Sequence, residues 1–293
     1  MKKFQIAVPS GIGDYSWIHS KISTIPDAEF EIFVPDSYPQ RTKPFIDLLP
    51  NCKGSLGKQS YQDILTWGGA RGAKTWEQIV KNHNNGEDVI YLQCNEWLGE
   101  GRMLGDWLPD LKTDFHYKMN IDFENKYPFP EKIKDKPKMA ITMASMRGIR
   151  AWNAWLPETW YEFIKLVKKD FPDMVFVFLG GHWDIDTMAE LAGLMGDRIE
   201  YLDLVGMTTI TEAIKVVETC EYMVGYSSGL TVMRTVVNKP GVTLWPKHQA
   251  ELMYSWADPA QVNKREYMGF IYDSAERIYT RVKNKVKEAV HGA

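Results

Sequence analysis

Short apolar runs separated by amphipathic stretches set the pattern of this chain. Residues 4–9 (FQIAVP), 88–93 (DVIYLQ), 174–179 (MVFVFL) and 222–226 (YMVGY) are apolar at almost every position. Runs this short predict strands buried on both faces, as in a parallel sheet. Further strands are expected at 29–34, 139–144 and near 198–202. Helical apolar spacing falls at 15–22, 40–50, 75–82, 158–169, 187–194 and 274–290. Residues 51–74 carry no firm period, 95–118 read as loops with short helices, and 247–270 are mixed. Strand and helix alternate throughout, which predicts an α/β fold.

The alternation is interrupted once. Residues 127–138 (YPFPEKIKDKPK) are rich in Pro and Lys and predict a linker. A second βα array then opens as the first did. The chain is thus expected to form two Rossmann-like domains facing across a cleft, over 1–132 and 133–272. A basic amphipathic terminal helix at 273–293 is free to pack back on the N-terminal domain. At 293 residues, two domains of ordinary size fit better than one core.

The most informative stretch is 205–246. An amphipathic helix leads into the strand at 222–226, which breaks at Ser227-Ser228-Gly229. A second helix, an Asn-Lys-Pro turn and another strand follow. The break lies where a helix N-terminus points backbone N–H groups outward, a place suited to a phosphate. Gly180-Gly181 ends the 174–179 run in the same way. In open α/β sheets ligands sit at such carboxyl ends of strands.

Composition trims the functional classes. Net charge is −3, against the basic excess of a dedicated nucleic-acid binder. Cys52, Cys94 and Cys220 are odd in number and far apart, which fits free thiols in a reducing compartment. No apolar stretch approaches a membrane span, and the N-terminal apolar run is too short for a signal core, so a cytoplasmic location is expected. Eleven Trp are packing residues or stacking surfaces.

Several motifs each admit a structural and a functional reading. Gly11-Ile12-Gly13 follows the first strand, but Ser16 stands where a dinucleotide fingerprint needs its third glycine. Asp14 is either a helix-cap residue or a carboxylate able to take a proton from a hydroxyl. Arg147 and Arg150 follow the first strand of the second domain, as a diphosphate clamp or as solvated loop charges. Asp184-Ile185-Asp186 is acidic either because it opens a helix or because it holds a metal. No P-loop, nucleophile elbow or His/Cys cluster is present.

Four segments together resemble glycosyltransferase family 9, the heptosyltransferase-like enzymes of GT-B fold. GIGDYSWIHS is similar to the family's G-x-G-D opening, and WLPETW resembles its Trp-Pro-x-x-x-Trp segment. LGGHWD resembles its strand-Gly-Gly-x-x-Glu, and the 205–246 stretch its longest signature. Departures are specific. Ser227 replaces the turn aspartate, Val232 a histidine, Asn153 a lysine, and Trp17 the histidine after Asp14.

The resemblance implies an inverting transfer from a nucleotide-sugar co-substrate to a hydroxyl acceptor, with no metal or other cofactor. It implies an acceptor-side N-terminal domain and a donor-binding C-terminal one. Asp14 would be the general base, with Gly11, Gly13 and Trp17 beside the acceptor and reacting sugar. Ser227, Ser228 and Gly229 would hold the diphosphate through N–H groups and hydroxyls, aided by Arg147 or Arg150 beside the Gly180-Gly181 break. Asp184 would accept from the ribose and Thr208 would line the base pocket. The expected acceptor is a surface glycan or a lipopolysaccharide-like molecule. The alternatives are a hydroxymethylated DNA base, and a non-catalytic nucleotide or sugar-phosphate binder on the same scaffold.

Overall fold

The computed structural model describes residues 2–7, 12–23, 25–34, 39–56, 90–91, 126–144, 155–237, 239–245 and 268–292. The chain divides into two compact units, residues 1–122 with 251–264, and 123–250 with 265–293.

The first unit holds strands β1 (Lys2–Ala7), β2 (Ala28–Val34), β3 (Cys52–Leu56) and β4 (Ile90–Tyr91) and helices α1 (Ile12–Ile22) and α2 (Pro39–Ile46). Its sheet runs β3-β2-β1-β4, and every pairing is parallel. Helix α1 buries Tyr15, His19 and Ile22, spaced as one helical face requires. The Phe4 and Phe30 rings stack at 5.7 Å across β1 and β2.

The second unit holds β5 (Lys138–Thr142), α3 (Pro157–Asp170), β6 (Val175–Leu179), α4 (Ile185–Met195), β7 (Tyr201–Asp203), α5 (Ile210–Thr219), β8 (Tyr222–Tyr226), α6 (Gly229–Val236), β9 (Gly241–Trp245), β10 (Met268–Phe270) and α7 (Ala275–His291). The sheet order is β10-β9-β8-β5-β6-β7, again with parallel pairings. This is the doubly wound order, whose direction reverses between β5 and β8. Strands β5, β6, β8 and β9 are buried at every position, which accounts for their largely apolar sequences.

Local chemistry sets the helix starts. Pro157 opens α3 at a position where its missing N–H is no loss. Thr209 and Glu212 form a reciprocal cap on α5: Thr209 N–H donates to Glu212 Oε2 at 2.8 Å, and Glu212 N–H to Thr209 Oγ1 at 3.3 Å. Trp155 and Trp160 pack edge to face at 4.9 Å inside the core, so these two tryptophans are packing residues.

Three expectations change. The segment read as a linker is seated on the second unit. Ile133 and Lys138 are buried there, and Lys138 Nζ donates to the carbonyls of Lys134 and Lys136. Helix α7, read as a separate terminal helix, contributes Ala275, Ile278, Tyr279, Val282 and Val286 to the core of the second unit. Strands β3 and β10 occupy sheet edges inside segments without a periodic signal. The helix expected at 75–82 lies outside the described residues.

Candidate functional site

Seven of the expected site residues gather along the carboxyl edge of the second sheet. Gly180, Gly181 and Asp184 follow β6, Thr208 follows β7, and Ser227, Ser228 and Gly229 follow β8. Gly13 is the second residue of α1, and Asp14 and Trp17 lie on the same helix, at the carboxyl end of β1. The side chains of Asp14 and Trp17, and all of Gly11, Arg147 and Arg150, lie outside the described residues.

The Ser-Ser-Gly turn is held by its own hydrogen bonds. Ser227 N–H donates to Leu244 O at 3.0 Å, and Ser228 N–H donates to Thr231 Oγ1, also at 3.0 Å. The Thr231 hydroxyl in turn reaches Tyr226 O and Ser228 O, each at 2.9 Å. The Ser227 hydroxyl is hydrogen-bonded to the Tyr226 phenol. The expectation that both serine N–H groups grip an anion is therefore corrected, because both are already spent. Ser228 Oγ remains buried with no partner among the described residues. Beside it stand the first N–H groups of α6, which a helix cannot satisfy internally.

Close backbone approach is built into the neighbouring strands. A Cβ on Gly225 would lie 2.0 Å from Thr142 Oγ1 and 2.7 Å from Thr231 Cγ2. Gly225 thus lets Thr142 and Thr231 close over β8 at the point where strand order reverses. Thr142 Oγ1 is buried there with no hydrogen-bond partner among the described residues.

After β6 the chain turns tightly. Asp184 Oδ2 accepts the Gly181 N–H at 3.0 Å, and a Cβ on Gly180 would meet that oxygen at 2.4 Å. Gly181 similarly leaves room for the Trp183 indole. Gly206, at φ +70°, donates its N–H to Gly180 O at 2.9 Å and ties the β7 turn to this one. Asp184 is only 1% exposed. Burial pushes its carboxyl up to about 7, against the hydrogen bond from the Gly181 N–H that favours the anion. Asp184 therefore faces its own turn, while Asp186 is exposed in the first turn of α4. Among the described residues no group of three or more His, Cys, Asp or Glu is placed to hold a metal.

Sequence reading missed Thr231, Thr142 and Gly225. Thr231 follows Ser228 by three, a capping-box spacing. Gly225 is a glycine inside a strand, the usual mark of close approach. Thr142 carries no sequence signal.

Comparison with known proteins gives these features a context. Three solved structures share the fold over nearly the whole chain. The Escherichia coli ADP-heptose LPS heptosyltransferase II is 14% identical, with 98% of this chain and 99% of that one covered and a TM-score of 0.58. The glycosyl transferase family 9 protein of Veillonella parvula is 10% identical, with 98% and 97% covered and a TM-score of 0.59. The E. coli heptosyltransferase WaaC with ADP is 12% identical, with 98% and 99% covered and a TM-score of 0.56. Comparison of the sequence with curated proteins gives no match. The fold is that of the GT-B glycosyltransferases. The family model described as glycosyltransferase family 9 (heptosyltransferase) matches residues 109–275, more than half of the chain. This chain belongs to glycosyltransferase family 9.

Proposed function

We propose that the protein transfers a sugar from a nucleoside diphosphate sugar to a hydroxyl of a surface glycan or lipopolysaccharide-like acceptor, with inversion at the anomeric carbon and without a metal. The observation that carries this reading is the Ser228 turn. Its backbone is fixed by Thr231, its hydroxyl is buried and unpartnered among the described residues, and it abuts the first N–H groups of α6, which have no partner within the helix. That is a preorganised seat for a diphosphate at the strand-order reversal of a doubly wound sheet.

In this reading the acceptor oxygen attacks the anomeric carbon as Asp14 takes its proton. The bond from that carbon to the diphosphate oxygen breaks, and the nucleoside diphosphate leaves with the electron pair. Ser228 Oγ and the Gly229 and Leu230 N–H groups, with Arg147 and Arg150, receive the negative charge that develops. Thr208 lines the base side. Asp184 holds the Gly180-Gly181 turn that shapes the ribose side. Gly11, Gly13 and Trp17 belong to the acceptor side.

The test is nucleotide release by the full chain from ADP-heptose, ADP-glucose, UDP-glucose and GDP-mannose with candidate glycan acceptors, comparing wild type with Asp14→Ala. One donor is expected to turn over, with kcat lowered about 100- to 10,000-fold in the variant and donor binding kept. EDTA should leave the rate unchanged, and the product should carry the inverted anomer. If no donor turns over, or if Asp14→Ala retains full activity, the transferase reading fails.

A further inference from the structure

One buried hydroxyl in the second sheet has no structural duty. Thr142, the last residue of β5, is 3% exposed, and its Oγ1 is buried with no hydrogen-bond partner among the described residues. A buried hydroxyl without a partner lowers stability, and a valine of the same shape would not carry that cost. A group of this kind in a folded chain calls for a reason.

Its neighbours do not supply one. Thr142 is the ladder partner of Gly225 on β8, and its Oγ1 leans over that glycine, 2.0 Å from where a Cβ would stand. Thr231 closes on the same point with its methyl, Cγ2 lying 2.7 Å from that Cβ position. The Thr231 hydroxyl is turned to Tyr226 O and Ser228 O.

The place of Thr142 in the sheet gives its hydroxyl a use. In the order β10-β9-β8-β5-β6-β7, the chain passes from β5 to β6 on one side and from β8 to β9 on the other. A crevice opens beyond the carboxyl ends of two strands that part in this way, and ligands of doubly wound sheets sit in it. Thr142 ends β5 and Gly225 stands one residue before the end of β8, so this pair forms the crevice floor. Gly225 brings no side chain, which leaves the Thr142 hydroxyl as the polar side-chain group of the pair. Thr231 ties the floor to the Ser228 turn, since its Oγ1 accepts the Ser228 N–H at 3.0 Å. Ser228 Oγ is also buried without a partner among the described residues, and the first N–H groups of α6 follow it. Two such hydroxyls flanking one threonine, at the start of a helix, suit an oxyanion whose oxygens each accept several hydrogen bonds.

From this placement we infer that Thr142 is a further diphosphate ligand of the donor site. Its hydroxyl donates from the crevice floor to an oxygen of the diphosphate that also meets Ser228 Oγ and the start of α6. The inference rests on the donor reading above and adds a contact for which the sequence carries no motif.

Binding of ADP, UDP, GDP and inorganic pyrophosphate to the full chain tests it, with wild type, Thr142→Val and Thr142→Ser, beside thermal unfolding of each protein alone. Thr142→Val keeps the shape and removes the hydroxyl, so its melting temperature should equal or exceed that of wild type. Its affinity for the bound nucleoside diphosphate should fall about ten- to hundredfold, the range of one hydrogen bond to a charged group. Thr142→Ser keeps the hydroxyl and should stay within about threefold of wild type. Unchanged affinity in Thr142→Val would overturn the inference. A lowered melting temperature in that variant would overturn it too, because the hydroxyl would then serve the fold. Equal weakening by valine and serine would do the same, since packing rather than the hydroxyl would be at work. If wild type binds none of the four probes, the donor reading falls and Thr142 with it. If wild type binds and Thr142→Val binds as tightly, Thr142 falls while the nucleotide seat stands.

Discussion

Thr231 Oγ1 accepts the Ser228 N–H at 3.0 Å, so a helix side chain closes the turn leading into its own helix. The same hydroxyl reaches Tyr226 O at 2.9 Å and is itself buried. Thr231→Val keeps the shape and deletes these bonds. It should cost about 1–3 kcal/mol in urea unfolding, the penalty of leaving buried polar groups unpaired. Nucleoside diphosphate binding should weaken as well, because the freed turn no longer presents Ser228 Oγ in one position. Unchanged stability and affinity would remove Thr231 from this role.

Gly225 offers a second test of the same junction. Gly225→Ala places a methyl 2.0 Å from Thr142 Oγ1 and 3.0 Å from Thr142 O. Overpacking of this kind costs about 1–3 kcal/mol. The double variant Gly225→Ala/Thr142→Ala should recover part of that loss, since one of the crowding atoms is gone. Strict additivity in the double-mutant cycle would contradict the contact.

Arg234 is 2% exposed and spends its guanidinium on backbone carbonyls. Nε donates to Pro240 O at 2.8 Å, Nη2 to Cys220 O at 3.1 Å and Glu221 O at 2.9 Å, and Nη1 to Val217 O. It joins the end of α5, the start of β8 and the turn before β9. Arg234→Met should destabilise the second unit by about 3–5 kcal/mol, since several carbonyls lose their donor at once. Arg234→Lys should recover little, because an ammonium lacks the planar fork. Near-wild-type melting of either variant would refute the staple.

The raised Asp184 carboxyl predicts a pH effect of definite sign. Its folded value of about 7 lies above the ordinary 3.8 of an exposed aspartate, so the folded chain holds this proton more tightly. The associated stability is fully present below about 4 and is lost as pH rises towards and through 7. A shift of this size corresponds to roughly 4 kcal/mol at most. Asp184→Asn keeps an oxygen for the Gly181 N–H and removes the titration. Its unfolding free energy should therefore fall less than that of wild type between about pH 4 and about pH 7.5. Parallel pH profiles for the two proteins would rule the effect out.

Strands β5, β6, β8 and β9 were legible because each is buried at every position. An apolar run is the direct record of that environment, and YMVGY matches β8 residue for residue. β3 (CKGSL) escaped notice because it is an edge strand whose extended form comes from pairing with β2, not from its own side chains. The glycine breaks showed where an anion could sit. They did not show which N–H groups remained open, because the partners of Ser227 and Ser228 are Leu244 and Thr231, one of them a strand away. Arg234 was hidden for a related reason. In a helical pattern an arginine reads as a solvated position, and only the fold brings carbonyls from three segments to it.

Helix α7 has a consequence for synthesis. The core of the second unit depends on Ala275, Ile278, Tyr279, Val282 and Val286, which are made after every strand of its sheet. The emerging chain must therefore keep Phe163 of α3, whose ring packs edge to face on Tyr279 of α7, without that cover until this helix leaves the ribosome. During that interval the nascent second unit is a natural client for chaperones that hold exposed apolar surface. Nascent chains stalled before α7 should accordingly be far more sensitive to protease than those stalled after it.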